Sequence, residues 1–162
     1  PMKILAVGDT HGNINGFKAL LKDINGLIDG VIHTGDYETD VDFINKEYPN
    51  LLVYGVCGNC DYGRFMPPVR IAELGGKRIF ITHGHRYDVK LSLIRLSYAA
   101  MENQADICVF GHTHIPLAEE HNGLYIVNPG SLSLPRGGSK PSYGIIDIDD
   151  EGNVEIKIIE LK

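Results

Sequence analysis

No apolar run in the 162 residues approaches the roughly 18 that a membrane-spanning helix needs. The short apolar stretch Met2–Gly8 turns polar at Asp9 and is followed by no cleavage site, so a secretory signal is not expected. A cytoplasmic protein without membrane contact is the expectation. Cysteine is scarce: Cys57, Cys60 and Cys108 make an odd set, which argues against a disulfide framework. Cys57 and Cys60 fit a C-x-x-C spacing, but no second pair accompanies them. Cys108 sits inside an apolar run, where cysteine is most often a small core residue. Basic residues are outnumbered, 15 to 21, giving a net charge of −6. That argues against a general binder of long nucleic acids or anionic membranes, which relies on basic surface. Repeats, low-complexity tracts and linkers are absent too, so residues 1–162 read as one domain. Tryptophan is missing, which decides nothing about assembly, and a homo-oligomer stays open.

What the chain does have is glycine, 19 of 162 residues, and enough apolar residues, 43%, for a proper core. Glycine allows positive φ and close approach of backbone to a ligand. Lys3–Val7, Gly30–Thr34 and Leu51–Tyr54 read as strands, separated by helical patterns over Phe17–Ile24, capped by Asn13 or Asn15, and over Asp40–Lys46. Strands alternating with helices indicate a parallel sheet. Hairpins follow at Val69–Thr82, around Gly75-Gly76, and at Pro116–Asn128, around Asn122-Gly123. Val89–Asn103 reads as the longest helix, Asp106–Phe110 as a buried strand, and Tyr143–Ile148 pairs with Val154–Ile159. Pro129–Pro141 is the longest loop.

Five polar motifs stand behind five of these strands: Asp9-Thr10-His11, Gly35-Asp36, Gly58-Asn59-Cys60-Asp61, His83-Gly84-His85 and Gly111-His112-Thr113-His114. In open α/β sheets, ligands bind outside the carboxyl ends of the strands. Each motif alone has a bland alternative: a helix cap at Asp9 or Thr10, a turn at Asp36, a left-handed Asn at 59. Their joint occurrence outweighs these. Five of the seven histidines fall in the motifs. Residues i and i+2 of an extended segment point to one side, so Asp9 and His11 can meet one ion. Asp36 has two oxygens and can bridge two cations, which an imidazole cannot. Asn59 suits Mg²⁺- or Mn²⁺-type ions. Asp61 would orient a neighbour. A dinuclear metal hydrolase is the reading these residues favour. His33 reads as a packed or hydrogen-bonded residue, and His121 as exposed. Asn128-Pro129-Gly130-Ser131 offers either backbone amides for an anion or a simple turn. Arg136 and Lys140 could steer phosphate, and Tyr62, Phe65 and Tyr87 could stack on a base.

In order and spacing over residues 2 to 131, these motifs resemble the signature of the calcineurin-like metallophosphoesterases. The length and the Gly-Asn-Cys-Asp variant look closest to the small bacterial and archaeal phosphodiesterase branch. The resemblance implies an αββα sandwich, two mixed sheets flanked by helices. It implies that Asp9, His11, Asp36 and His114 hold one ion. Asp36 would bridge to a second ion completed by Asn59, His83 and His112. His85 would stand near the substrate. Mn²⁺ is the first expectation, and a mixed N/O set also accepts Ni²⁺, Fe²⁺, Zn²⁺ or Mg²⁺. The reaction implied is in-line attack on phosphorus by a water activated between the ions, with no Ser or Cys nucleophile. One departure matters. Many relatives carry His where Cys60 stands, near the scissile phosphate. A thiol, with a reference pKa near 8.5, matches neutral pH less well than imidazole as a leaving-group acid. A small phosphodiester with a good leaving group is therefore the expected substrate. A monoesterase, and a protein-assembly scaffold like the retromer subunit of this fold, are the competing readings. A scaffold is free to lose ligands, whereas all seven positions here are ligand-competent.

Overall fold

The computed structural model describes residues 1–8, 10, 15–35, 39–58, 67–133, 136–138 and 140–161. Its elements are β1 (Met2–Val7), α1 (Asn15–Ile24), β2 (Gly30–His33), α2 (Thr39–Glu47), β3 (Leu52–Gly55), β4 (Val69–Leu74) and β5 (Lys77–Thr82). A 3₁₀ turn at His85–Tyr87 precedes α3 (Ile94–Glu102), β6 (Ile107–Val109), β7 (Leu117–His121), β8 (Leu124–Asn128), β9 (Ser142–Ile148) and β10 (Val154–Glu160). One sheet runs β10-β9-β1-β2-β3 and the other β4-β5-β6-β8-β7. Both are mixed: β1-β2-β3 and β5-β6-β8 are parallel, and the outer pairs are antiparallel.

The layering follows from the alternation of side chains along β1. Ile4 and Ala6 point inward and pack with Ile79, Ile81, Ile107 and Val109 of the other sheet. Leu5 and Val7 point outward, onto Phe17, Leu20 and Leu21 of α1 and Ile44 of α2. On the far side Phe80, Cys108 and Phe110 meet Leu96 and Ala100 of α3. The result is helix, sheet, sheet, helix, the αββα sandwich. A strand covered on both faces has no polar side to show, which is why β1 and β6 read as continuous apolar runs. Burial pushes the Cys108 thiol far above its ordinary pKa, in keeping with a core cysteine.

The Asn-Gly hairpin forms as the sequence dictates, with Asn122 at φ 53° and Gly123 at φ 87°, as a two-residue primed turn demands. The helix expected over Val89–Asn103 is shorter. It begins at Ile94, because Asp88 adopts φ 52° and its carbonyl takes the Leu91 and Ser92 amides in a separate turn. Val89 and Leu93 are apolar because they pack against the sheet from that turn; their spacing mimics a helix. The Ser92 hydroxyl then accepts from the Ile94 amide at 3.5 Å. Among the described residues no helix is long and apolar enough to cross a membrane.

Register brings the motifs to one edge of each sheet. Val7 aligns with His33 and His33 with Gly55. Ile81 aligns with Val109 and Val109 with Val127. All six chains leave their strands in the same direction within each sheet.

Candidate metal centre

His83 follows β5 directly, and Gly111 to His114 follow β6. The two segments are joined by backbone, since the Gly111 amide donates to the His83 carbonyl at 2.9 Å. Three imidazoles converge there. The His83 and His112 ring centroids lie 4.9 Å apart, His83 and His85 5.2 Å, and His85 and His112 6.2 Å. His83 Nδ1 faces His85 Nδ1 at 3.2 Å. That spacing is a hydrogen-bond contact, one ring donating to the other. His83 and His114 are buried and His112 half-buried. Imidazole is a borderline donor that suits Zn²⁺, Ni²⁺, Fe²⁺ and related ions, so the residues present fit a divalent metal.

The backbone of this loop is held in an unfavourable conformation. His112 has φ 72° and His114 φ 61°. Left-handed conformation at a residue other than glycine costs on the order of 1–3 kcal/mol and gathers at functional sites. Asn128 braces the loop from below. Fully buried, its Nδ2 donates to the Gly111 carbonyl at 3.3 Å and to Thr113 Oγ1 at 2.9 Å, and its Oδ1 accepts from the Gly130 amide. Asn128-Pro129-Gly130-Ser131 therefore acts as a buttress.

Residues after Ser131 strap the two sheets' motifs together. Ser133 Oγ donates to the Thr10 carbonyl at 2.6 Å, and the Arg136 amide donates to the His114 carbonyl at 3.1 Å. Arg136 thus sits beside the centre, with its side chain exposed. A cleft of about 380 Å³ opens next to it, lined by Val89, Leu93, Phe110, Thr113 and Ile115 among others.

On the other sheet, Asp9, His11, Asp36, Asn59, Cys60 and Asp61 lie outside the described residues, as do Tyr62 and Phe65. Among the described residues no group of three or more His, Cys, Asp or Glu side chains could by itself hold an ion. Described residues flank these motifs. Gly35 has φ 105°, and a Cβ on it would lie 2.8 Å from the Gly58 nitrogen. The segments leading to Asp36 and Asn59 are therefore in backbone contact.

Beneath them runs a buried polar chain that the sequence did not reveal. Thr10 Oγ1 and His33 Nε2 both hydrogen-bond Asp40 Oδ2, the latter at 2.9 Å. The Gly35 amide donates to His33 Nδ1 at 3.1 Å. His33 is thus the hydrogen-bonded core residue the sequence suggested, but Asp40 reads in sequence only as a helix start. An acidic first turn seven residues after a histidine in an apolar strand was the available signal. His121 is exposed and pairs with Glu119 at 2.7 Å. Tyr87 packs edge-on against Phe80 at 6.2 Å, the local role that competes with base stacking.

Known proteins resemble this chain in sequence and fold. A sequence model described as the calcineurin-like phosphoesterase superfamily domain matches residues 2–151. The chain is 33% identical over 151 residues to the probable metallophosphoesterase YsnB of Bacillus subtilis (strain 168), covering 93% of this chain and 86% of YsnB. A predicted phosphoesterase from Streptococcus pneumoniae TIGR4 superposes with a TM-score of 0.82 at 31% identity, over 98% of this chain and 89% of that one. An archaeal phosphodiesterase superposes at 0.72 with 25% identity, over 98% of this chain and all of the other.

Proposed function

We propose that this chain, which belongs to the calcineurin-like phosphoesterase superfamily, is a metal-dependent phosphodiesterase acting as one domain over residues 1–162. The observation that carries the reading is the convergence of His83, His85 and His112 behind β5 and β6. Two divalent ions, Mn²⁺ first, held by Asp9, His11, Asp36 and His114 and by Asp36, Asn59, His83 and His112, would lower the pKa of a water and offset charge on the phosphoryl oxygens.

The remaining work falls to the chain itself. The buttressed loop from Gly111 to His114 fixes where a phosphoryl group can lie, and positioning of this kind is worth several kcal/mol of barrier. His85 stands beside His83 and His112, half-buried. There it can donate a hydrogen bond to a substrate oxygen or carry a proton. Arg136, anchored through its own amide to His114, supplies positive charge at the rim for an anionic substrate. Cys60 is a poor match for protonating a leaving group at neutral pH. That favours diesters with good leaving groups, and the archaeal relative is named a phosphodiesterase.

The test is hydrolysis of bis-p-nitrophenyl phosphate and p-nitrophenyl phosphate by chelator-stripped protein. Added Mn²⁺ should restore turnover, faster on the diester than on the monoester, and Cys60→His should narrow that gap. A monoester preference would make the protein a phosphatase. Silence with every divalent ion would overturn the enzyme reading and favour a scaffold.

A further inference from the structure

The buried chain Gly35–His33–Asp40–Thr10 does no work in the reaction outlined above, yet it is costly. Three polar side chains, Thr10, His33 and Asp40, are 0%, 0% and 1% exposed. Burying polar groups stabilises nothing unless each is fully partnered, and apolar residues of similar shape would serve packing as well. Here the Thr10 hydroxyl, both His33 ring nitrogens and one Asp40 oxygen are partnered. The Gly35 amide can only donate, so His33 Nδ1 must accept, which leaves the ring proton on Nε2, facing Asp40. Asp40 Oδ2 receives both this proton and the Thr10 hydroxyl. Asp40 lies in the first turn of α2, where the helix dipole favours a carboxylate. Edge contact with Phe17, 6.3 Å between centroids, closes the remaining side of the imidazole.

The ends of this chain are its most informative feature. Thr10 stands between Asp9 and His11. The Gly35 amide stands one residue before Asp36. The hydrogen bonds thus link the loop after β1 to the loop after β2, from beneath, by side chains anchored in β2 and α2. Ser133 Oγ holds the Thr10 carbonyl from the opposite side at 2.6 Å. A glycine at position 8 lets the two loop bases approach, since a Cβ there would lie 1.8 Å from Thr34 Oγ1.

We propose that Thr10, Asp40 and His33 form a positioning clamp that sets the separation of the Asp9/His11 and Asp36 loops and thereby the affinity for metal. The clamp rests on the ligand assignment of the proposed function. None of its three residues is among the proposed ligands; each acts through the loop it holds. Outer-shell partners of this kind typically alter metal affinity by 10- to 100-fold.

The experiment compares Thr10→Val, which keeps shape and removes the hydroxyl, with Thr10→Ser, which keeps the hydroxyl. His33→Phe breaks the other end of the chain and serves if Thr10→Val does not fold. Mn²⁺ affinity is measured by competition with a chromophoric chelator on metal-stripped protein, with thermal unfolding of the same stripped samples. The clamp predicts about 10- to 100-fold weaker Mn²⁺ binding in Thr10→Val and in His33→Phe, and affinity within about threefold of wild type in Thr10→Ser. Diester hydrolysis at saturating Mn²⁺ should then recover most of its kcat. Unchanged Mn²⁺ affinity in Thr10→Val, with or without a lower unfolding temperature, would reduce the chain to a structural role and overturn the proposal. If wild-type protein itself bound no Mn²⁺, the ligand assignment would fall and the clamp with it. Wild-type binding with indifferent variants would sink the clamp alone.

Discussion

Replacing His83 with alanine will lower Mn²⁺-dependent diester turnover by at least about 100-fold, the upper end of what is lost with an outer-shell partner. The expectation comes from how much depends on this ring. It is fully buried at the end of β5. Its Nδ1 is 3.2 Å from His85 Nδ1, and its centroid is 4.9 Å from that of His112. On the proposed assignment, removing it deletes one metal donor, and it takes away the ring that His85 contacts. The protein should still fold, because the bond that joins β5 to the Gly111 loop uses the His83 carbonyl and not its side chain. The comparison is kcat with excess Mn²⁺, with far-UV circular dichroism as the folding control. Turnover within threefold of wild type would remove His83 from the centre.

Gly35→Ala will damage both stability and activity. At φ 105° an L residue carries strain of about 1–3 kcal/mol. The added Cβ would also meet the Gly58 nitrogen at 2.8 Å and the Cys57 carbonyl carbon at 3.1 Å, both backbone atoms that cannot rotate away. A total near 2 kcal/mol or more lowers the unfolding temperature of a chain this size by at least about 4 °C. Activity should suffer more than stability suggests. The clash pushes apart the segments that lead to Asp36 and Asn59, and a displacement of about 1 Å in a catalytic constellation can cost roughly 100-fold. Thermal unfolding and steady-state kinetics on one preparation check both. An unfolding temperature and kcat equal to wild type would show that the close approach is dispensable.

The legible parts of this molecule are those set by local pattern. β6 and residues Ile4 to Val7 of β1 announce themselves because both faces are covered, so those runs contain no polar break. Asn122-Gly123 announces its hairpin because few other pairs accept two positive φ values. The His-x-His motifs stand out because they follow apolar strands. What the sequence hides is whatever depends on residues far apart in the chain. The helix expected over Val89–Asn103 is shorter because a mostly exposed turn sets Val89 and Leu93 against the sheet at helical spacing. The left-handed backbone at His112 and His114 has no local signal, since histidine gives no hint of it. Asn128 appears in sequence as part of a turn and is found bracing the Gly111 loop. Ser133 holds Thr10 across 123 positions, a contact that spacing could never suggest. The ligand roles proposed for Asp9, His11, Asp36 and Asn59 rest on the family resemblance and lie outside the described residues.

Two ions sharing one site is the central proposal, and calorimetric titration of Mn²⁺ into chelator-stripped protein tests it most directly. Two Mn²⁺ per chain, with paired binding lost in Asp36→Ala, is the predicted result. No binding at millimolar Mn²⁺, or a single ion indifferent to Asp36→Ala, would contradict it.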